Sequence, residues 1–310
     1  MEATILELQQ KETPLELFLN NLDSEGSRKI YQFELSKFFK SVGKEPEHIN
    51  SIDILNFKAS LSENKPSTKN RKLSIVKSYF SFLVQFKFIE ENPADFIKLK
   101  SVTTKEPDIL NENELQIFLD FPTIRSKAKS KDTYKDWLPK RDQAILALLG
   151  IEGLRVSEVC KLNIGNFNES ERWLLIHGKG AKIVKMRISK LATSYIKEYL
   201  KIRPGIRTKD SPMFIKSGRG CTNSNAAQGD RITVAAIQYL VEQISSQLNF
   251  DKHVTPHTLR HTAATLMLEN NVSIKKVQRH LRHSSIQTTA RYLHILDNKE
   301  AASEAILGGI

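Results

Sequence analysis

Six of the eight histidines in this 310-residue chain lie after residue 250, interleaved with arginines. His257 and His261 are spaced i,i+4, so the two imidazoles would share one face of a helix. The residues between them, Thr-Leu-Arg, lack the glutamate of a helical zinc-protease motif. Arg260 lies within this pair, and clustered cations repel a divalent ion. The spacing therefore disfavours a metal site, and we expect neither a metal nor another cofactor.

The same mixture of cations and histidines suits a phosphodiester. Phosphoryl transfer builds negative charge on the nonbridging oxygens, and guanidinium groups neutralise such charge through paired hydrogen bonds. His257 and Arg260 are three residues apart and would lie on one helical face. Tyr292, nine residues after His283, supplies a hydroxyl that can act as a nucleophile. The pattern indicates chemistry at a phosphate without a metal.

Two further cations lie where turns would present them. Arg155 follows Gly150-Ile-Glu-Gly-Leu and opens a predicted helix. Lys179 lies between two glycines in His177-Gly-Lys-Gly-Ala-Lys182, at the tip of a predicted hairpin. Taken singly, these residues fit an exposed salt bridge and a solvated turn, just as Tyr292 alone fits a core aromatic. Their order along the chain is what carries information.

That ordered series resembles the tyrosine recombinase family, of the phage-integrase type, and within it the compact Xer-like enzymes. The motifs are Arg155 in GLRVSEV, Lys179 in HGKGAK, His257 and Arg260 in PHTLRHTAAT, and His283 and Tyr292 in LRHSSIQTTARY. Each motif is weak alone, but six residues in this order form a specific signature. The resemblance covers nearly the whole chain.

The resemblance implies that Arg155 and Arg260 bind the scissile phosphate and that Tyr292 is the nucleophile. A phenol has an ordinary pKa of about 10, so nearby cations and a histidine base would stabilise the phenolate as it forms. Glu158, one helical turn after Arg155, would orient that arginine. Attack would give a 3′-phosphotyrosyl bond and free a 5′ hydroxyl, which retains the energy of the broken bond and makes ATP unnecessary.

The remaining residues of the series would move protons. By resemblance, Lys179 would act as general acid toward the departing 5′ hydroxyl, while His257 and His283 would assist proton transfer and bind phosphate oxygens. One position departs from the family pattern: Arg282 stands where a glycine usually precedes the histidine of the second motif. Its side chain would crowd the site or add a phosphate contact.

The implied function is site-specific DNA recombination through a Holliday junction, in chromosome-dimer resolution or in integration and excision of a mobile element. The implied partners are double-stranded DNA carrying two recombination sites and further copies of the chain in a homotetramer, with an accessory recombinase or regulatory protein left open. Two alternatives fit parts of the pattern. A DNA-relaxing topoisomerase-like enzyme shares the tyrosine chemistry, and a non-enzymatic DNA-binding regulator needs only the basic surface.

Length and composition indicate the class of protein and the number of domains that position these residues. A content of 40% hydrophobic and 26% charged residues is typical of a globular chain and excludes a disordered one. A length of 310 residues suits two domains. We predict a helical core-binding domain at residues 1–100, a polar linker at 101–110, and a catalytic domain with a C-terminal tail at 111–310.

The charge is unevenly divided between these domains. Residues 1–104 hold 15 basic and 14 acidic residues, whereas the rest of the chain holds 32 and 21, so nearly all of the net charge of +12 lies in the second domain. Such a surplus favours a polyanionic partner. The sequence has no apolar run of about 18 residues and no visible secretory signal, and only two cysteines. We therefore expect a cytoplasmic protein without a membrane partner.

Apolar periodicity predicts a mainly α fold. The first domain would be a bundle of four or five helices, and the second mostly α with a small antiparallel sheet built on the hairpin around Lys179. Lys69, Arg71 and Lys72 begin the fourth helix of the first domain. These residues alone would also suit a solvated helix start, but the family resemblance places a helix of this domain against DNA, so we expect all three to contact it.

Overall fold

The computed structural model describes residues 12–99, 108–127, 136–178, 183–205, 207–216, 230–283 and Tyr292. The chain divides into two compact units, Met1–Lys105 and Glu106–Ile310, and each is considered by itself. Lys179 and most of the predicted linker lie outside the described residues, as does the C-terminal tail.

Among its described residues, the first unit contains four helices, in agreement with the four or five that apolar periodicity predicts. They are α1 (Pro14–Asn20), α2 (Glu25–Val42), α3 (Ser51–Ser60) and α4 (Pro66–Gln85). Reciprocal capping boxes fix where two of them begin. Thr13 caps α1 and Asn50 caps α3, each accepting a backbone amide of the first turn, and the carboxylates of Glu16 and Asp53 return the bond. A single 3₁₀ turn at Pro46–His48 precedes α3.

Aromatic side chains fill the core of this unit. Phe18 of α1 meets Tyr79 of α4 at a centroid distance of 5.3 Å and an angle of 75°. Phe38 of α2 meets Phe80 of α4 at 6.0 Å and 87°. Such edge-to-face pairs are favourable because the positive ring edge faces the negative ring face. Helix α4 therefore packs against both α1 and α2, and its N-terminal turns carry the basic residues predicted to bind DNA.

The second unit is built from seven described helices around one apolar core. They are α5 (Glu112–Lys127), α6 (Trp137–Gly150), α7 (Val156–Lys161), α8 (Lys190–Ile202), α9 (Val234–Leu248), α10 (Pro256–Glu269) and α11 (Ile274–Leu281). A 3₁₀ turn, Ile164–Asn166, leads from α7 into the sheet.

Helix α6 is the central element of this unit. Its residues are apolar on every side from Ala144 to Leu149, and all of them are buried, as expected for a helix that others surround. It packs against α5, α8 and α10. At its C-terminal end, Gly150 lets α5 come close, since a Cβ there would lie 2.7 Å from Leu115 Cδ1. The chain then turns directly into the segment that carries Arg155.

A three-stranded antiparallel sheet completes the unit. Its strands are β1 (Phe167–Asn168), β2 (Trp173–His177) and β3 (Ile183–Arg187), in the order β1-β2-β3. Leu174 pairs with Met186 and Ile176 with Val184, which places Leu174, Ile176 and Met186 in the buried layer. The alternation of buried and partly exposed residues in β2 follows from the period of two in a strand.

The predicted fold class is confirmed. The chain is mainly α, with a helical bundle in the first unit and a mostly α second unit that holds a small antiparallel sheet. The hairpin predicted around Lys179 is confirmed in its two strands, β2 and β3. Across the residues described, none of the helices has the length and apolarity needed to cross a membrane.

Candidate active site

Helix α10 presents two of the predicted residues. Thr255 caps the helix, its hydroxyl accepting the amide of Thr258 at 3.0 Å, and Pro256 occupies the first helical position, where its missing N–H costs nothing. His257 therefore lies in the first turn, and its side chain is exposed. Arg260 follows almost one turn later and is buried, with 5% of its surface exposed.

Two backbone carbonyls fix the Arg260 guanidinium. Its Nη1 donates to the carbonyl of Gly153, and its Nη2 donates to that of Leu281 at 2.6 Å. Burial lowers the pKa of Arg260 to about 10, helped by the positive charges of Arg155 and Arg282. The group is still protonated at neutral pH, so the site contains a cation whose orientation is already set.

Gly153 is required where it stands. Its φ of +64° lies in the left-handed region, which L side chains rarely adopt. A Cβ at this position would lie 2.5 Å from Leu281 Cδ2 and 3.3 Å from Ala263 Cβ. The glycine thus allows the turn after α6 to pass close to α10 and to the end of α11. Because of that close passage, Arg260 can reach the Gly153 carbonyl.

Arg155 and Glu158 form the start of α7. The Glu158 carboxylate accepts the backbone amide of Arg155 at 2.8 Å and its Nη1 at 3.0 Å. Arg282, at the end of α11, donates to the same carboxylate through Nη2 at 2.6 Å. Burial alone would raise the pKa of Glu158, but the hydrogen bond and charge of Arg282, together with Arg155, lower it. The carboxylate is therefore ionised at neutral pH.

Tyr292 lies against the ends of α10 and α11. Its ring is 3% exposed and packs in a cluster with Leu268, Val277 and Leu281. The hydroxyl lies 2.6 Å from Nδ1 of His261, the residue after Arg260. The Tyr292 oxygen also acts on the charge of Arg260, whose pKa it raises. The phenol is thus buried, yet close enough to Arg260 for the two charges to interact.

His283 completes this group. Its ring lies nearly parallel to that of Tyr292, with centroids 6.4 Å apart and an angle of 18°. Burial lowers the pKa of His283 to about 4, and the positive charges of Arg260 and Arg155 contribute. The imidazole is therefore neutral at physiological pH and can accept or donate a hydrogen bond, but it does not add charge.

The structure brings together most of the predicted set. Arg155, Glu158, Arg260, His283 and Tyr292 meet where the turn after α6, α10 and the end of α11 converge. Lys179 lies outside the described residues.

The three residues predicted to bind DNA belong to the first unit, on α4. There the guanidinium of Arg71 is held by Glu34 of α2 at 2.6 Å. Lys69 and Lys72 are partly exposed on the same turns.

Two residues of the site have contacts that the sequence does not predict. His261 is notable in the sequence only for its i,i+4 spacing to His257, and nothing in that spacing pairs it with Tyr292. Arg282 is predicted to crowd the site or to contact phosphate, but its guanidinium is directed to Glu158. For Arg282 the sequence does contain a hint of an unusual role, since an arginine stands where the family usually has glycine.

The side chains of the site are a poor set of metal ligands. In the described ranges, no group of three or more His, Cys, Asp or Glu side chains is arranged to hold an ion. Histidines and arginines dominate the site instead. The arrangement can bind an anion at Arg155 and Arg260 and can place a phenol beside two imidazoles.

Comparison with known proteins agrees with this geometry. Residues 110–299, more than half of the chain, match the phage integrase family. A tyrosine recombinase XerC from Thermodesulfovibrio yellowstonii is 30% identical over 291 residues, covering 90% of each chain. XerC from Bacillus subtilis is 29% identical over 238 residues, covering 74% of this chain and 70% of that one.

Solved structures share the fold. The XerH site-specific recombinase bound to a palindromic difH substrate, in a post-cleavage complex, superposes with a TM-score of 0.69 at 24% identity, covering 89% of this chain and 79% of that one. The Tn1549 transposon integrase in complex with a circular intermediate DNA gives 0.64 at 18% identity, covering 90% and 94%. The chain belongs to the phage integrase family and is a Xer-like tyrosine recombinase, an enzyme of site-specific DNA recombination.

Proposed function

We propose that Tyr292 is the nucleophile of this recombinase and that Arg155 and Arg260 bind the phosphate it attacks. The observation that carries this proposal is the convergence of distant segments. Arg260 of α10 contacts the turn at Gly153 and the end of α11 at Leu281, and Tyr292 lies in the same apolar cluster as that leucine. The charges of Arg155 and Tyr292 both act on Arg260.

The two arginines would have different parts in stabilising the transition state. Arg260 is buried and fixed by two carbonyls, so it needs no reorganisation as charge develops on the phosphate. The Arg155 side chain is 41% exposed, which leaves its guanidinium accessible to a phosphate oxygen. Together they would place two positive charges opposite the nonbridging oxygens, and guanidinium geometry suits paired contacts there.

The reaction exchanges one phosphodiester for another. The Tyr292 oxygen bonds to phosphorus as the bond to the 5′ oxygen breaks, and Lys179 would protonate that oxygen. The phenol proton passes to an imidazole, and His261 at 2.6 Å is in place to receive it. His283, neutral at physiological pH, and His257 would assist proton transfer and bind phosphate oxygens. A 5′ hydroxyl from a partner strand reverses the sequence, so neither a metal nor ATP is needed.

The first unit would act as the core-binding domain, at residues 1–100, with residues 101–110 as the linker to the catalytic domain. Lys69 and Lys72 at the start of α4 would contact phosphates of the duplex. Arg71 would contribute less because Glu34 already holds its guanidinium. The second unit, which carries most of the surplus positive charge, would supply the larger share of phosphate contacts.

The active assembly would be a homotetramer on two double-stranded recombination sites in the cytoplasm. Four copies supply the four tyrosines that cutting two duplexes requires, and closed symmetry is the usual form of such assemblies. The reaction would serve chromosome-dimer resolution or integration and excision of a mobile element, with an accessory recombinase or regulatory protein as a further partner. The recombination site decides between these roles.

Covalent trapping tests the proposal. Wild-type protein is incubated with nicked duplexes carrying candidate sites from the flanking genome, because loss of the short strand at the nick traps the adduct. We expect a denaturation-resistant protein–DNA adduct that maps to Tyr292. Tyr292→Phe should retain DNA binding and lose the adduct entirely. Tyr239→Phe is the matched control, since this tyrosine is 63% exposed and lies on α9.

Adduct mapping and a plasmid assay together separate the two alternative functions. An adduct that maps to another residue contradicts the assignment of Tyr292. Relaxation of any supercoiled plasmid without exchange between two sites would indicate a topoisomerase-like activity. A regulator without enzymatic activity would retain its whole function in Tyr292→Phe. Family membership favours neither alternative.

A further inference from the structure

Arg282 occupies a backbone position that does not suit it. It ends α11 with φ 57° and ψ 45°, in the left-handed region, where glycine or asparagine is preferred because a Cβ is crowded there. An arginine at this position carries a conformational cost that a glycine avoids. Any benefit of an arginine here must therefore come from the contacts of its side chain.

The contacts of this side chain are specific and sheltered. Nη2 donates to Glu158 Oε2 at 2.6 Å, and Nε lies 3.4 Å from Oε1 of the same carboxylate. Nη1 donates to the carbonyl of His280 at 2.8 Å and contacts Met186 Sδ of β3. Only 11% of the side chain is exposed. The guanidinium thus joins the end of α11 to α7 and to the sheet.

Glu158 is shared between two arginines. Besides Arg282, its carboxylate accepts the amide of Arg155 at 2.8 Å and its Nη1 at 3.0 Å. The other amino group of Arg155, Nη2, lies 3.5 Å from the carbonyl of Arg282. Two guanidiniums on one carboxylate leave a net charge of +1. The buried members of this trio are Glu158, 8% exposed, and Arg282, so the surplus charge lies at Arg155, 41% exposed.

We propose that Arg282 is a positioning residue for Arg155. By occupying one side of the Glu158 carboxylate, it prevents Glu158 and Arg155 from forming an ion pair with two side-chain hydrogen bonds. The positive charge of Arg155 is therefore left available to the phosphate. The inference rests on the proposed function, in which Arg155 binds the scissile phosphate. It adds that the arginine at the usual glycine position is part of the machinery of this chain and acts through Glu158.

Kinetics of adduct formation test the proposal on the nicked duplex recovered by covalent trapping. Arg282→Asn keeps a residue that accepts the left-handed backbone and removes the guanidinium. At saturating DNA we expect adduct formation to slow about tenfold, less than the roughly 10²–10³ typical of a group that touches the developing charge. DNA affinity should change less than threefold. Arg282→Lys, which keeps the charge without the planar fork, should recover part of the rate.

Two comparisons separate positioning from a general effect of charge or folding. Arg279→Gln removes an exposed cation from the same helix and should leave the rate unchanged. The double variant Arg282→Asn, Glu158→Gln should be no slower than Glu158→Gln alone, because the effect of Arg282 passes through that carboxylate. Independent losses that multiply, or an equal loss in Arg279→Gln, would overturn the proposal.

A structural measurement needs no DNA. Crystal structures of the wild type and Arg282→Asn should show Arg155 closing onto Glu158 with two hydrogen bonds in the variant, and becoming less exposed. An Arg155 side chain that keeps its place would overturn the proposal. A wild type that forms no adduct on any duplex contradicts the proposed function instead, and the structural comparison still decides the role of Arg282.

Discussion

The groups around Tyr292 differ in charge for reasons that burial and neighbouring guanidiniums explain. Arg260 is buried, yet its pKa of about 10 keeps it protonated at neutral pH. His283 is partly buried beside Arg260, Arg155 and Arg282, and its pKa falls to about 4. Similar surroundings therefore keep one group charged and the other neutral, because their ordinary pKa values lie on opposite sides of physiological pH.

The low pKa of His283 predicts a pH dependence of stability. The unfolded imidazole binds a proton near pH 6.5 and the folded one near 4, so between these values the unfolded state holds more protons. The contribution of His283 is complete above pH 6.5 and is lost as the pH falls toward 4. Relative to His283→Asn, the wild type should lose unfolding free energy across this interval, as measured by urea denaturation.

The control for this experiment is His253→Asn, at an exposed histidine of the same unit. This variant shows what a histidine-to-asparagine change does to the stability curve away from the site. Parallel curves for His283→Asn and the wild type would show that the imidazole is protonated as easily in the folded chain as in the unfolded one.

The residues of this site are predictable from the sequence to different degrees. Arg155 and Arg260 stand in motifs whose order along the chain identifies them. The contact between His261 and Tyr292 depends on how a segment 31 residues further along folds back, and no local spacing encodes that. The pairing of Arg282 with Glu158 spans 124 residues and depends on the same packing. Local sequence patterns predict the kind of chemistry, but tertiary packing determines which side chains contact one another.

Helices and strands are more predictable than contacts. Helix α6 is apolar on all sides and the strands of the hairpin alternate, so each has a local signal for both its type and its burial. The start of α10 is marked by Thr255 as the cap and Pro256 at the first position. The turn at Gly153 is marked by its glycines, but the close approach of Leu281, which also requires a glycine there, has no local signal because Leu281 is far away in the sequence.

Gly153→Ala should therefore disrupt the way the elements meet. The new methyl would lie 2.5 Å from Leu281 Cδ2 on a backbone with φ +64°, so strain and overpacking add. We expect a loss of about 2–4 kcal/mol in unfolding free energy, measured by urea denaturation. Adduct formation should fall as well, because the carbonyls of Gly153 and Leu281 hold Arg260.

Gly26→Ala is the matched control. This glycine lies in the first turn of α2, and a methyl group there would meet nothing within 4 Å, so stability should stay the same or rise slightly. If Gly153→Ala is as stable as the wild type, the end of α11 can move away without cost, and the close passage is not what fixes Arg260.

The division of charge between the two units bears on how the whole chain would hold DNA. The first 104 residues are nearly balanced and the remainder carries the surplus. Non-specific affinity for a duplex should therefore come mainly from the second unit, with a few phosphate contacts added by the first. Counterion release makes the contribution of each cation measurable, since removing one that neutralises a phosphate lowers the slope of log affinity against log salt by about 0.9.

Helix α4 offers a comparison of three basic residues within four positions. Lys69→Ala and Lys72→Ala should each weaken binding to a duplex of arbitrary sequence and reduce the salt slope by about 0.9. Arg71→Gln removes the same charge, but its guanidinium is paired with Glu34 at 2.6 Å, so the slope should hardly change. Its thermal midpoint should fall instead, because the nearly buried Glu34 carboxylate loses its partner.

Equal slopes for the wild type and both lysine variants would mean that this helix does not contact DNA. A slope reduced in Arg71→Gln by as much as in the lysine variants would mean that the ion pair opens to meet a phosphate.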